Sequence, residues 1–123
     1  MPILEVEVVL RQNETLPAGV AAAIADAAAQ VFGSSPGNTW VRLRTMSPRD
    51  YAEDGGGPPE GVFPVFVSVL KARIGNQEEL QREAARLTEV IAGAVGRPAE
   101  NVHLQYQPPG MGRVSFGGHL RTE

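Results

Sequence analysis

The chain begins with Met1-Pro2 directly before an apolar stretch, MPILEVEVVL. Proline is tolerated at the first residue of a strand, so Pro2 could be purely structural. If the initiator methionine is removed, however, the Pro2 ring nitrogen becomes a free secondary amine, and a terminal amine has an ordinary pKa of about 7.7–8.0. Burial or a nearby cation would lower that pKa towards neutrality, where the amine can act as a general base. Position alone leaves both interpretations open.

Basic residues lie near the ends of two predicted strands. Arg42 and Arg44 alternate along WVRLRT and therefore share one face, while Lys71 and Arg73 follow FPVFVSVL, beside the place where the first strand should pair. A guanidinium suits a substrate carboxylate and also a developing enolate oxygen. Each of these residues singly could be an ordinary solvated side chain. Together with Pro2 they favour a site for a small carboxylate.

Composition excludes several other classes of function. A net charge of −3 gives no reason to expect nucleic acid or a membrane as partner, and the absence of cysteine excludes disulfides and thiolate sites. His103 and His119 have no carboxylate cluster beside them, and no phosphate-binding loop or nucleophile elbow is present. We therefore expect no metal and no cofactor. Without a visible secretory signal or membrane-spanning stretch, the predicted compartment is the cytoplasm.

Hydrophobic periodicity predicts the order strand, helix, strand twice. The first helix is expected to begin near an N-cap at Thr15 and to end at Gly33, and the second to begin at Asn76 and end at Gly96. The predicted strands are 3–10, 40–45, 63–70 and 101–106. Equal spacing of these elements indicates a tandem repeat. We predict a single domain over 1–123, with pseudo-repeats at about 2–57 and 62–117.

Two β-α-β units predict an α+β fold, a four-stranded sheet with two helices on one face. The opposite face would be bare, although its strands are rich in valine and leucine, so we expect other copies of the chain to cover it. A homotrimer with a barrel-like interior would satisfy this requirement. The tail RVSFGGHL is expected to form a short strand that reaches a neighbour.

The whole chain resembles the tautomerase superfamily, which includes oxalocrotonate tautomerase and macrophage migration inhibitory factor. The similarity depends on Met1-Pro2 opening a strand, on the two β-α-β units, and on the segments FVSVLKARIGNQEE, PAENVHLQYQPP and GRVSFGG. It implies a homotrimer in which the mature N-terminal proline transfers a proton between carbon and oxygen, with sites between neighbouring subunits.

The resemblance also assigns substrate-binding residues. Arg73 and Arg42 correspond to arginines of oxalocrotonate tautomerase. His103, Gln105 and Phe116 correspond to residues that line the pocket of the cytokine, macrophage migration inhibitory factor. The cytokine's pocket lysine is replaced by Ser34, so a substrate carboxylate would have to be bound by arginine.

The expected function is a cofactor-free keto–enol tautomerase of small 2-oxo or 2-hydroxy-dienoic carboxylic acids. Pro2 would be the acid and base, Arg73 and Arg42 would bind carboxylate or enolate, and Phe116 with Trp40 would form apolar walls. This isomerase activity requires removal of Met1. Two alternatives remain, a proline-based dehalogenase or decarboxylase of small acids and a trimeric binding protein without catalysis.

Overall fold

A computed structural model describes residues 1–122. The first half contains strand β1 (Ile3–Val9), helix α1 (Val20–Phe32) and strand β2 (Trp40–Met46), and the second half contains strand β3 (Val65–Leu70), helix α2 (Gln77–Val95) and strand β4 (Val102–Tyr106). Short 3-10 turns cover Pro48–Asp50 and Ala99–Asn101, and two-residue strands β5 (Ser115–Phe116) and β6 (His119–Leu120) follow. The predicted β-α-β order, occurring twice, is confirmed.

The sheet has the strand order β2-β1-β3-β4. Each half contributes one parallel pair, β1 with β2 and β3 with β4, and the two halves join through the antiparallel pair β1 and β3. A buried proline precedes the first strand of each half, Pro2 before β1 and Pro64 before β3. The carbonyl oxygen of Pro2 accepts a 3.0 Å hydrogen bond from the Trp40 N–H, and that of Pro64 accepts one of the same length from Val9. The predicted α+β sheet is therefore present.

The core lies between the helices and one face of the sheet. Strand residues alternate in burial, so that Leu4, Val6 and Val8 of β1 are buried while the residues between them are only half-buried. Alternation of this kind follows from the two-residue period of a strand. Helix α1 contributes Ile24 and helix α2 contributes Leu87, both fully buried. Both helices thus pack on the same face, as the sequence predicted.

The helix ends agree only partly with the sequence prediction. Asn76 caps α2 in a capping box, accepting a 2.8 Å hydrogen bond from Glu79 N–H, and Gly33 and Gly96 end their helices with left-handed backbones. The predicted N-cap at Thr15 is wrong. The N-cap is instead Gly19, four residues later, whose φ of 88° is incompatible with a helix that starts earlier.

Arg97 connects several chain segments at the C-terminal end of β1. Its side chain is 1% exposed and binds the Glu14 carboxylate through two hydrogen bonds of 2.7 and 3.1 Å. The same guanidinium donates to the carbonyl oxygens of Val9 and Phe63 at 3.0 and 3.1 Å. The loop after β1 is therefore fixed to the residues just before β3.

The face of the sheet opposite the helices differs from the prediction. Trp40 and Phe66 are 49% and 37% exposed, but Glu5, Arg42 and Arg44 lie between them, so this face is mixed rather than continuously apolar. The apolar area alone is thus a weaker reason for covering this face than the sequence suggested. Among the described residues, no helix has the length and apolar character needed to cross a membrane.

Candidate functional site

Pro2 lies at the beginning of a central strand, where three chain segments converge. Ile3 pairs with Trp40 on one side and with Leu70 on the other, so the residue before Ile3 lies next to the start of β2 and the end of β3. Pro2 itself is buried. The predicted proximity of Pro2 to the end of β3 is therefore present within one chain.

The tail of the chain folds back over this end of the sheet. Gly110 N–H donates to the Lys71 carbonyl oxygen at 2.8 Å, and Met111 N–H donates to that of Ala72 at 3.2 Å. Beyond this point β5 and β6 pair with each other in an antiparallel hairpin whose turn is Gly117-Gly118, with φ of 59° and 91°. The tail was expected to reach a neighbour as a single strand. Within the chain it forms a hairpin, because two glycines at positive φ permit a tight turn.

The hairpin brings Phe116 against Trp40. Their ring centroids are 5.4 Å apart and the planes meet at 89°, an edge-to-face contact. Trp40 also donates its indole N–H to the Gly37 carbonyl oxygen at 2.9 Å, which fixes the orientation of the ring. The two aromatic side chains predicted to form apolar walls are thus in contact at the start of β2.

The terminal amine experiences an environment that disfavours its charged form. Burial is the main factor that lowers the pKa of the Met1 ammonium below its ordinary value of 8.0, and the positive charge of Arg121 lowers it further. Pro2 is one residue further into the fold and is itself buried.

An open cavity of about 550 Å³, which we call the N-terminal cavity, lies beside this end of β1. Its walls are contributed by β1, β2, β3 and the segment after β4. The lining residues are Ile3, Glu5, Arg42, Ser68, Leu70, Gln107, Pro108, Pro109, Gly110, Arg113 and Val114. It combines an apolar wall with two arginines and one carboxylate.

Met1 packs against the wall of the N-terminal cavity. A Cβ placed on Gly110 would lie 3.0 Å from Val114 Cγ2, 3.1 Å from Met1 Sδ and 3.2 Å from Leu70 Cδ1. Gly110, Val114 and Leu70 all line the cavity. The Met1 sulfur therefore lies beside one lining residue, Gly110, while Met1 and Pro2 are not themselves among the lining residues.

Three of the predicted binding residues lie together further along the same sheet face. Arg42, His103 and Gln105 line a smaller cavity of about 300 Å³, the sheet-face cavity, which Glu5, Glu7 and Arg44 also border. Glu5 and Arg42 form an ion pair, and His103 contacts the ring of Phe66 at 5.7 Å. The structure therefore brings these three residues together, with Arg42 shared between the two cavities.

Arg73 is separate from both groups. It is exposed in the loop after β3 and lines neither cavity, and its guanidinium makes no hydrogen bond or ion pair with residues 1–122. Its role as a substrate ligand remains a prediction that depends on the resemblance alone.

Lys71 is directed away from the N-terminal cavity. Its ammonium donates to Glu83 at 2.6 Å and lies 5.3 Å from the centre of the Phe32 ring. Tyr106 donates its hydroxyl to the same carboxylate at 2.9 Å, and burial, followed by this hydrogen bond, raises the pKa of Tyr106 well above its ordinary value. Lys71, which follows the residue paired with Ile3, is thus bound to a partly buried carboxylate on α2.

Sequence reasoning missed two arginines of the tail. The charge of Arg121 lowers the pKa of the Met1 amine, and Arg113 lines the N-terminal cavity. The only clue was the glycine-rich run GMGRVSFGG, whose closely spaced glycines allow the chain to turn back on itself. Within 1–122 no group of three potential metal ligands is found.

Comparison with solved structures identifies the architecture. A symmetric trimer of wild-type fused 4-OT is 17% identical, with a TM-score of 0.75, and the alignment covers 97% of this chain and 94% of that one. Macrophage migration inhibitory factor from Oncomelania hupensis is 19% identical, with a TM-score of 0.73 and coverage of 99% and 83%. The chain has the fold of the tautomerase superfamily.

A third structure with the tautomerase-superfamily fold is malonate semialdehyde decarboxylase inhibited by 3-bromopropiolate. It is 21% identical, with a TM-score of 0.69 and coverage of 94% and 88%. No family model and no curated protein sequence matches the chain. The predicted architecture is therefore confirmed. At these low sequence identities, the similarity shows a shared fold and nothing more specific.

Proposed function

We propose that the protein is a cofactor-free tautomerase of small 2-oxo or 2-hydroxy-dienoic carboxylic acids, active once Met1 has been removed. The observation that supports this most directly is the environment of the chain terminus, where burial and Arg121 together lower the pKa of an amine. We infer that a secondary amine at Pro2, which is itself buried, likewise has a lowered pKa, so that a larger fraction of it is neutral, as a general base requires.

In the proposed reaction, the neutral Pro2 nitrogen takes the hydroxyl proton of the enol. The oxygen electrons form the carbonyl, and the carbon–carbon π electrons move towards the carbon that will be protonated. The Pro2 ammonium then returns the proton to that carbon, which restores the neutral amine. Arginines of the site would stabilise the negative charge that develops on the enolate oxygen.

A proline-based decarboxylase or dehalogenase is the second candidate. It is favoured by the structural similarity to malonate semialdehyde decarboxylase. Carbon dioxide release from malonate semialdehyde, or halide release from a halogenated three-carbon acid, would distinguish these activities from enol ketonisation. A trimeric binding protein without turnover is the third candidate.

We also propose a homotrimer, because fused 4-OT, which shares this fold over nearly the whole chain, is a trimer. Copies packed through the helix-free sheet face would cover Trp40 and Phe66. In such an assembly Arg42, His103 and Gln105 would border the pocket at the Pro2 of a neighbour. The cytoplasm remains the predicted location.

The experiment compares the mature protein, beginning at Pro2, with a variant carrying Leu inserted between Met1 and Pro2. Mass spectrometry first establishes the terminus of each. The insertion keeps the Pro2 nitrogen as an amide, which has no basicity, while leaving every side chain of the fold in place. We expect enol ketonisation, followed by ultraviolet absorbance, in the mature protein and at least a 100-fold lower kcat/KM in the insertion variant.

A pH–rate profile gives the second readout. The value of kcat/KM should rise with pH through one apparent pKa, and a titration of the Pro2 nitrogen by ¹⁵N NMR should give the same pKa, lower than that of an unburied N-terminal proline. Pro2→Ala leaves a primary amine and should retain partial activity. Equal rates in the mature and insertion proteins, or full turnover in both Pro2→Ala and Arg73→Ala, would show that the assignment is wrong.

A further inference from the structure

The N-terminal cavity contains one arginine whose charge is not balanced. Arg42 is ion-paired with Glu5, and both line this cavity. The guanidinium of Arg113, by contrast, makes no hydrogen bond or ion pair with residues 1–122, and Arg113 is exposed. Two arginines and one glutamate leave the cavity with a formal charge of +1. That charge suits a ligand with one carboxylate.

The rest of the lining is suited to the apolar part of such a ligand. Ile3, Leu70 and Val114 contribute aliphatic side chains, and Pro108 and Pro109 complete the wall. A small number of polar groups within a mainly apolar pocket is typical of sites for small organic molecules. A volume of about 550 Å³ is ample for a short unsaturated acid.

Removal of Met1 connects this cavity to the Pro2 nitrogen. The Met1 sulfur lies close to Gly110, which lines the cavity, and the Met1 main chain is bonded to that nitrogen. Taking Met1 away frees the amine and vacates the adjoining space in a single step. We propose that the enlarged cavity is the substrate pocket and that Arg113 binds the substrate carboxylate there.

This inference rests on the proposed function for its reaction but has an independent test by binding. Benzoate is the probe, and benzamide, which has the same shape without the charge, is the matched ligand. Arg113→Gln should weaken benzoate binding by the mature protein about 10- to 100-fold, since a charge-assisted hydrogen bond is lost. Benzamide binding should change by less than about 3-fold, because it forms no ion pair.

Arg49→Gln is the control substitution. Arg49 is exposed, pairs with Asp50 outside the cavity, and lines neither cavity, so its removal changes the net charge equally without touching the site. Benzoate affinity should be unchanged in this variant. The insertion variant that keeps a residue before Pro2 should bind benzoate several-fold more weakly, because the adjoining space stays filled.

Kinetics provide a further readout. Arg113→Gln should raise KM for the enol acid at least 10-fold with a smaller effect on kcat, and Arg113→Lys should recover part of the loss, because it restores the charge without the bidentate geometry. Circular dichroism of both variants checks that they are folded.

The two proposals fail in different ways. Arg113-dependent binding of benzoate without turnover would retain the pocket and refute the tautomerase. Turnover that depends on Pro2 but is indifferent to Arg113→Gln would refute the pocket assignment. Equal loss of benzoate affinity in Arg113→Gln and Arg49→Gln would also refute it, since the effect would then be one of overall charge.

Discussion

Glu14 and Arg97 provide the sharpest test of what stabilises the fold. Arg97 is almost completely buried, and Glu14, which is 19% exposed, supplies the only carboxylate bound to it among residues 1–122. The substitution Glu14→Gln keeps the size of the side chain and removes its charge. It therefore leaves the Arg97 guanidinium buried with only neutral acceptors.

The size of the expected loss of stability follows from the pKa of Glu14. The hydrogen bonds from Arg97 are the main factor that lowers this pKa from 4.5 to about 2. At about 1.4 kcal/mol for each pKa unit, this interval corresponds to roughly 3 kcal/mol of stability in the charged form. Breaking one side of a buried ion pair typically costs about 3–5 kcal/mol. Since the carbonyl oxygens of Val9 and Phe63 remain as acceptors, we expect a loss of about 3 kcal/mol.

Urea unfolding at pH 7 measures this loss, at one fixed protein concentration because any assembly would contribute to stability. Glu60→Gln is the control, since Glu60 is exposed and its carboxylate forms no hydrogen bond within residues 1–122.

The pH dependence of stability is a second test, because its direction is also predicted. Because folding lowers the pKa of Glu14, its ionised form stabilises the fold above about pH 4.5. The difference in free energy of unfolding between wild type and Glu14→Gln should therefore shrink as the pH falls from 4.5 towards 2. A difference between Glu14→Gln and Glu60→Gln of less than about 0.5 kcal/mol at pH 7 would refute this reasoning.

Two further predictions concern α2 and the cluster at its side. Gly93→Ala, within the helix and with open space around its Cβ, should stabilise by about 0.5–1 kcal/mol, while Gly96→Ala, at φ 68°, should destabilise by about 1 kcal/mol, both measured by urea unfolding. An equal sign for the two changes would contradict the assigned backbone conformations. Tyr106 should remain un-ionised well above pH 10, and Glu83→Gln should lower its pKa by removing a charged acceptor, as followed by tyrosinate absorbance with Tyr106→Phe to assign the transition. No change in that pKa would mean that the hydrogen bond is absent in solution.

The sequence predicted the sheet and helices well because their patterns are local. Alternation in β1, the apolar stripe of α2 and the Asn76 capping arrangement each involve residues only a few positions apart. The start of α1 was missed because Thr15 and Pro17 resemble a helix start, whereas Gly19 adopts a left-handed backbone that the side-chain pattern does not indicate.

The site was predictable only in part, because it depends on contacts between distant segments. Pro2 was singled out by its position, and its proximity to the end of β3 followed from strand pairing. Arg113 and Arg121 reach the same region only through the fold of the tail, held by hydrogen bonds from residues 110 and 111 to the loop after β3. No periodic pattern encodes such a long-range contact.

Pro64 gives the duplicated architecture a further meaning. It occupies the place in the second half that Pro2 occupies in the first, yet its nitrogen is bonded to Phe63 and is an amide at every stage of the protein's life. Only one of two structurally equivalent prolines can therefore ever become a base. A chain with two similar halves therefore has only one proline that can become terminal, and at the place of the other proline the end of the sheet is closed by the buried ion pair of Arg97 and Glu14.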